Sequence, residues 1–193
     1  IHWSEQRYLE VMAHEPDARN TWAPELFHDD ATGQYLIVWA TTIPGRFPET
    51  DGQDARGDDP GWNHRLYYVA TGDFETFSEP ALFYEHGFNV IDGAIFRDDD
   101  RYVMVLKDET NLPLEPQKNL RLAFAEHATG PYTEPTEPIT GDYWAEGPTP
   151  LEVEGRWHIY FDKYRQGEFG VVASRDLEEW RDRALRLQAE MEN

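Results

Sequence analysis

Cysteine is missing from all 193 residues, which excludes disulfides and thiolate metal sites and leaves the redox compartment unread. Long apolar runs are missing too. No stretch approaches the ~20 residues of a membrane helix, so no membrane partner is expected. Positive charge is scarce: 17 Lys and Arg stand against 38 Asp and Glu, a formal net charge of −21. That balance disfavours nucleic acid, anionic lipid and polyphosphate as partners and suits a neutral or cationic ligand. The acids are spread along the chain, as on a solvated surface, instead of forming a tail. The opening IHWSEQRYLE has neither the basic start nor the apolar stretch of a signal peptide, and the compartment stays open.

What the chain does have is aromatic side chains and turn residues. It carries 7 Trp, 10 Tyr and 10 Phe, with 14 Gly and 13 Pro. This favours an all-β fold around one core over a helical bundle. Strand-length runs fall at Tyr35 to Thr41, Arg65 to Ala70, Ala94 to Arg97, Tyr102 to Lys107, Leu120 to Ala125, Trp157 to Tyr160 and Gly170 to Ser174. YLIVWATT and YVMVLKDE are apolar almost throughout, as strands buried on both faces are.

Several of these blocks end alike. TGDFETFSEP (71–80) and SRDLEEWRD (174–182) share a small residue, Asp, an apolar residue, two polar residues and an aromatic. AEHATGPYTEP (125–135) closes on a looser version, and IHWSEQ matches the last part of it. The aromatic slots are Trp3, Phe77, Tyr132 and Trp180. Several strands per unit, repeated every 45–75 residues or so, predict propeller blades. About three blades are expected, from Asn20, Asn89 and Tyr143 onward, within residues 1–182. The chain is expected to begin on the last strand of an earlier blade, as a fragment. A β-sandwich is the alternative, but it leaves the block endings unexplained. The tail at 183–193 has good helix formers and permits a short terminal helix.

Three stretches head successive units: TWAPEL (21–26), NVIDGAIF (89–96) and YWAEGPTPL (143–151). Inner strands of a propeller converge on its axis, so residues far apart in sequence meet there. With WAPE, IDG and EGP in this order on successive blades, the chain resembles glycoside hydrolase family 43. That family comprises five-bladed propeller enzymes acting on arabinose- and xylose-containing glycans. The resemblance runs from IHWSEQ through SRDLEEW.

The resemblance implies roles for individual residues. Glu146, in EGP, falls on the general acid that protonates the departing glycosidic oxygen. Asp92, in IDG, falls on the acid that modulates the pKa of the general acid and helps orient the sugar. Trp22, in WAPE, falls on an aromatic beside the sugar. The family's general base is an Asp on the first blade, which has no match here. Its His near a metal or water on the last blade has none either. No cofactor is expected from the residues present, though the resemblance allows a structural metal at the axis of a full-length protein. The implied activity is an inverting glycosidase removing arabinofuranosyl or xylosyl units, this chain alone being inactive. The implied partner is a neutral oligo- or polysaccharide. A non-catalytic carbohydrate-binding or remnant propeller is the alternative.

The chemistry supports these roles independently. Inverting hydrolysis needs one protonated and one ionised carboxyl group, with a water between them. Glu146 beside aromatics, with Asp92 converging from the neighbouring blade, meets the conditions for holding a proton. Trp22 and Trp144 can pack on the C–H face of a sugar, although Trp22 is equally suited to a core. Each acid also has a plainer role, Glu146 capping the Gly-Pro turn and Asp92 opening an Asp-Gly turn. Glu25 is as suited to holding backbone amides as to acting as the base. Lys107 reaches either the pocket or a surface salt bridge. Asp162 and Tyr164 are candidates behind the site. The loop at 43–64 is either a mobile surface loop or a substrate rim, with Arg46, Trp62 and His64 as rim candidates. No pair of the seven histidines has metal-ligand spacing, and no metal ligand is assigned.

Overall fold

The computed structural model describes residues 2–55, 61–111 and 116–183. Among them the chain is all-β, with a single turn of 3-10 helix at Pro48–Thr50. The first sheet is the meander β1 (Trp22–Asp29), β2 (Gln34–Thr42), β3 (His64–Thr71) and β4 (Ala81–Tyr84). The second holds β5 (Val90–Asp98), β6 (Arg101–Asp108) and β7 (Asn119–Ala125). The third holds β8 (Glu146–Glu152), β9 (Trp157–Lys163), β10 (Glu168–Ser174) and β11 (Arg181–Asp182). All neighbouring strands are antiparallel. The inner strands β1, β5 and β8 lie side by side, so the three sheets are blades of a β-propeller. The blade starts agree with those expected at Asn20, Asn89 and Tyr143.

The middle blade shows why near-continuous apolar strands suit this fold. Along β6, Tyr102, Met104 and Leu106 pack with the first blade, and Val103 and Val105 with the third. Successive side chains point to opposite faces, so a strand buried on both faces needs apolar residues at every position. A third cluster, around Met12, Trp39 and Tyr67, closes the other face of the first blade. Adjacent blades are clasped at equivalent points. Tyr102 Oη donates to Asp29 Oδ1 at 2.6 Å, and Trp157 Nε1 donates to Asp98 Oδ1 at 2.8 Å.

The recurring block endings are turns held by side chains. In the first blade Thr71 Oγ1 accepts the Phe74 N–H, and Asp73 Oδ1 accepts those of Glu75 and Thr76. In the third, Ser174 Oγ accepts the Leu177 N–H, and Asp176 Oδ1 accepts those of Glu178 and Glu179. Phe74 and Leu177 both take a left-handed φ, 57° and 61°. Hydroxyl and Asp at this spacing offset that strain by satisfying the turn amides.

The middle blade replaces its fourth strand with a threonine ladder. Pro131, Pro135 and Pro138 lack amides, so the segment 131–140 cannot pair as a regular strand. Instead Thr133 donates its N–H to Phe124 O and accepts the Phe124 N–H on Oγ1. Thr136 does the same with Leu122. Ser78 repeats the device on Ala70 in the first blade. The opening segment departs from expectation. Residues 2–10 form no strand and Trp3 is 90% exposed. The segment touches the first blade through Arg7, which donates to Phe74 O and Glu75, but pairs with no strand among the described residues. The expected helix in the tail falls, from residue 184, outside the described residues.

Candidate active site

Each inner strand begins with the same irregularity. The pairing register shifts between Trp22 and Glu25, between Ile91 and Ala94, and between Glu146 and Thr149. At the second position of each bulge the backbone is left-handed: Ala23 at φ 50°, Asp92 at 56° and Gly147 at 60°. WAPE, IDGA and EGPT are therefore structural equivalents. A bulge re-aims the side chains around it, which explains how these three motifs build one site. Asp tolerates the left-handed region better than most residues, so Asp92 itself takes the bend. Gly93, expected as half of a turn pair, instead leaves room for Leu66, whose Cδ1 would lie 2.5 Å from an added Cβ.

The bulges open on a cavity of about 460 Å³ lined by Trp22, Asp54, Trp62, His64, Ile91, Asp92, Lys107, Glu109, Glu146 and Gly147. Asp92 Oδ2 accepts the Gly147 N–H at 2.9 Å across the blade boundary. Desolvation pushes the Asp92 carboxyl up from the ordinary range. The Gly147 bond and Lys107 pull it back, while Glu146 and Glu109 add to the rise. Lys107 Nζ lies 2.6 Å from Glu109 and 3.1 Å from Glu146. Burial alone would lower the Lys107 ammonium, but Glu109 and its other neighbours prevail and push it up. Behind it, Lys118 Nζ contacts Glu109 at 2.7 Å and Asp54 at 3.1 Å, with Lys118 and Asp54 each 1% exposed.

The aromatic wall comes from two elements. Trp22 and Trp62 have ring centroids 4.4 Å apart, and His64 stacks beside Trp62 at 5.7 Å. Trp22 is 45% exposed, so it offers a face to a ligand. His64 is buried, and neither ring nitrogen has a hydrogen-bond partner. Asn89, engaged with Trp62 O and the His64 backbone N–H, lies beside the ring without a well-formed bond to it. Burial pushes the His64 pKa down to about 4.

Of the residues named from sequence, Glu146, Asp92, Trp22 and Lys107 line this cavity, and so do Trp62 and His64. Lys107 is buried, not part of a surface salt bridge. Trp144 is not part of the lining. It packs against Tyr164, with Arg165 over its ring at 4.3 Å and the Lys118 ammonium at 5.8 Å. Tyr164 stands behind Lys107, whose Nζ is 4.9 Å from its ring centroid. Asp162 pairs with Glu146 in the β8–β9 register. Arg46 turns away to Glu15 at 2.7 Å. Glu25 lines a separate cleft at the axis with Phe27, Ala94 and Thr149. Loss of water, then the Asp92 charge, pushes its carboxyl up. Sequence reasoning missed Asp54, Glu109 and Lys118. Only strand register brings Lys118 beside Glu109, and no local pattern marks it. No group of three or more His, Asp or Glu suited to a metal occurs among the described residues, and the axial cleft contributes one carboxylate. These residues do not fit a metal, and no step is assigned to one.

A propeller with carboxylates at the heads of successive inner strands, facing an aromatic wall, has the architecture of a glycoside hydrolase domain. Residues 1–192 match the family described as "Probable glycosyl hydrolase domain", a relation of glycoside hydrolase family 43, and the chain belongs to that family. An α-L-arabinofuranosidase of Bifidobacterium longum subsp. longum is 26% identical over 101 residues, which are 51% of this chain and 9% of that protein. The fold is shared with Zg3597, a family 117 glycoside hydrolase of Zobellia galactanivorans, at TM-score 0.66 and 15% identity, over 96% of this chain and 61% of that one. A xylan β-1,4-xylosidase of Bacillus halodurans aligns at TM-score 0.64 and 18% identity, over 91% of this chain and 32% of that one. The chain thus spans less than two thirds of each of these proteins.

Proposed function

We propose that these blades carry the acid half of an inverting glycosidase site that removes arabinofuranosyl or xylosyl units from neutral plant-type glycans. The observation that carries the reading is the meeting of Asp92 and Glu146, through the Gly147 N–H, at two equivalent bulges. Glu146 donates its proton to the departing glycosidic oxygen. Asp92 sits against it, orients the bulge and contacts the sugar. Trp22 and Trp62 receive the apolar face of the ring. A water attacks the anomeric carbon from the opposite side, and a second carboxylate takes its proton. Among the described residues the cavity's other acids, Asp54 and Glu109, are held by Lys118, which favours a base supplied from outside these strands. On this reading the chain alone does not turn over substrate.

Azide tests this, because it attacks without needing a base. With an aryl α-L-arabinofuranoside or β-D-xyloside, its terminal nitrogen bonds to the anomeric carbon as the C–O bond breaks, and Glu146 protonates the phenolate. The expected product is a glycosyl azide of inverted configuration. Glu146→Gln slows its formation by about 10²–10⁴-fold for a phenyl leaving group, and by less for 4-nitrophenyl, which leaves with little protonation. Turnover without azide that survives Glu146→Gln overturns the reading, as does the absence of azide product from both sugar series.

One observation favours a second reading, a propeller that binds sugar without cleaving it. Glu146 is engaged with the Lys107 ammonium, a contact that a proton donor has to give up. In that case sugar binding tolerates Glu146→Gln and azide yields nothing.

A further inference from the structure

Five charged groups of alternating sign run in contact from the cavity into the core: Glu146, Lys107, Glu109, Lys118 and Asp54. The row is most exposed at its cavity end and fully buried at its inner end. The Glu146 side chain is 40% exposed, Lys107 3%, Glu109 12% and Lys118 and Asp54 1% each. Glu109 is the centre of the row and holds both ammonium groups. The Lys107 contact to Glu109, 2.6 Å, is shorter than that to Glu146, 3.1 Å, and lies where water is scarcer. Attraction between charges strengthens as water is excluded, so Glu109 is the principal partner of Lys107.

We propose that Glu109 is a positioning residue of this site. It retains the Lys107 ammonium so that Glu146 is free to turn to the substrate. Without Glu109 the ammonium has, among the described residues, one carboxylate in salt-bridge contact, Glu146, and fixes it. Lys118 and Asp54 form the anchor that keeps Glu109 in place. Glu109 touches no substrate in this scheme and acts through Lys107. Other groups facing the ammonium are Asp92 from β5 and the Tyr164 ring beyond β9. His64, which is influenced by Glu109, Asp54 and Lys107, faces the row from β3. The inference rests on the glycosidase reading for its consequence in turnover, but its electrostatic content stands apart from it.

The test compares Glu109→Gln, Lys107→Met and the double variant with the parent chain, each first shown folded by its thermal transition. In carbon-13 NMR, the titration midpoint of the Glu146 side-chain carboxyl is expected to fall in Glu109→Gln and to rise in Lys107→Met. In the azide assay, Glu109→Gln is expected to lower turnover by about tenfold with sugar affinity unchanged. Lys107→Met/Glu109→Gln is expected to recover several-fold of that loss, a non-additivity that contacting charges produce. Damage to the fold alone is not repaired by removing a second charge.

Equal Glu146 midpoints in parent and Glu109→Gln overturn the proposal, and so does a double variant as slow as Glu109→Gln. If the midpoints move as stated while no variant or parent yields glycosyl azide, the positioning stands and the glycosidase reading fails. Should Glu109→Gln not fold, Glu109→Asp, which keeps the charge on a shorter arm, replaces it. Its Glu146 midpoint is then expected below the parent's, because the retracted carboxylate releases Lys107 toward Glu146, with that of Lys107→Met/Glu109→Asp above the parent's. A Glu109→Asp midpoint equal to or above the parent's overturns the proposal.

Discussion

Asp92 Oδ2 accepts the Gly147 N–H at 2.9 Å, so the acid of one blade caps the bulge that carries the acid of the next. Desolvation holds the Asp92 carboxyl above the ordinary range, so the folded chain binds its proton more tightly than the unfolded chain does. The stability this contributes is full below the unfolded pKa and is lost as pH rises through the folded one. Asp92→Asn keeps an oxygen for Gly147, tolerates φ 56° and removes the buried charge. Its melting temperature is expected to equal or exceed the parent's at pH 7, with the advantage shrinking toward pH 3, while azide-supported turnover is lost. Asp92→Ala loses both the acceptor and the tolerance and is expected to cost about 1–3 kcal/mol. Thermal melts at the two pH values settle both.

His64 has the opposite protonation balance. Its pKa is pushed down to about 4 by burial, so the unfolded chain binds the proton more readily. Stability from this residue is complete above pH 6.5 and is lost as pH falls toward 4, about 3 kcal/mol in all. Glu109 and Asp54 oppose the shift and Lys107 assists it. His64→Phe keeps a ring beside Trp62 and removes two unpartnered nitrogens. Urea unfolding is expected to show little change at pH 7 and a clear gain for the variant at pH 4.5. The same pH dependence in both chains contradicts this account.

The blade boundaries were legible because their signals are local. A hydroxyl residue, an Asp and an apolar residue within four positions specify the turn at Thr71–Phe74 and again at Ser174–Leu177. The site was legible in part for the same reason, since WAPE, IDG and EGP mark equivalent bulges. What lies behind Glu146 was not. Lys107 is adjacent to Asp108 in sequence, yet its partners Glu109 and Glu146 are chosen by side-chain direction and blade packing. Trp144 read as a sugar platform because it stands two residues from Glu146, whereas its ring packs beside Tyr164 with Arg165 above it. Trp62 and His64 were legible as a rim, while Arg46 from the same loop is drawn to Glu15.

Lys118 anchors the charged row. Lys118→Met leaves Glu109 and Asp54 without the ammonium they share, in a region 1% exposed at Asp54. Breaking a buried ion pair from one side commonly costs 3–5 kcal/mol, and about 3 kcal/mol is expected here because Glu109 keeps Lys107. Lys107→Met, nearer the cavity, is expected to cost less. Denaturant midpoints of the two variants decide the order, and a larger loss for Lys107→Met would count against Lys118 as the anchor.

Gly93 couples the inner strand of the middle blade to the core of the first. A Cβ there would stand 2.5 Å from Leu66 Cδ1 and 3.3 Å from Met104 Sδ, and both side chains are buried, at 1% and 0% exposure. Gly93→Ala is therefore expected to cost about 1–3 kcal/mol through overpacking. Gly147→Ala, with nothing within 4 Å of its Cβ but φ at 60°, is expected to cost about 1–2 kcal/mol through backbone strain alone. The two mechanisms separate in a double variant. Leu66→Ala opens the space that the new methyl needs, so Gly93→Ala should cost markedly less in that background, whereas the cost of Gly147→Ala should not change. Urea unfolding of the three single variants, the two double variants and the parent reads this directly. Strict additivity of Gly93→Ala with Leu66→Ala would mean that Gly93 is required for something other than the approach of Leu66.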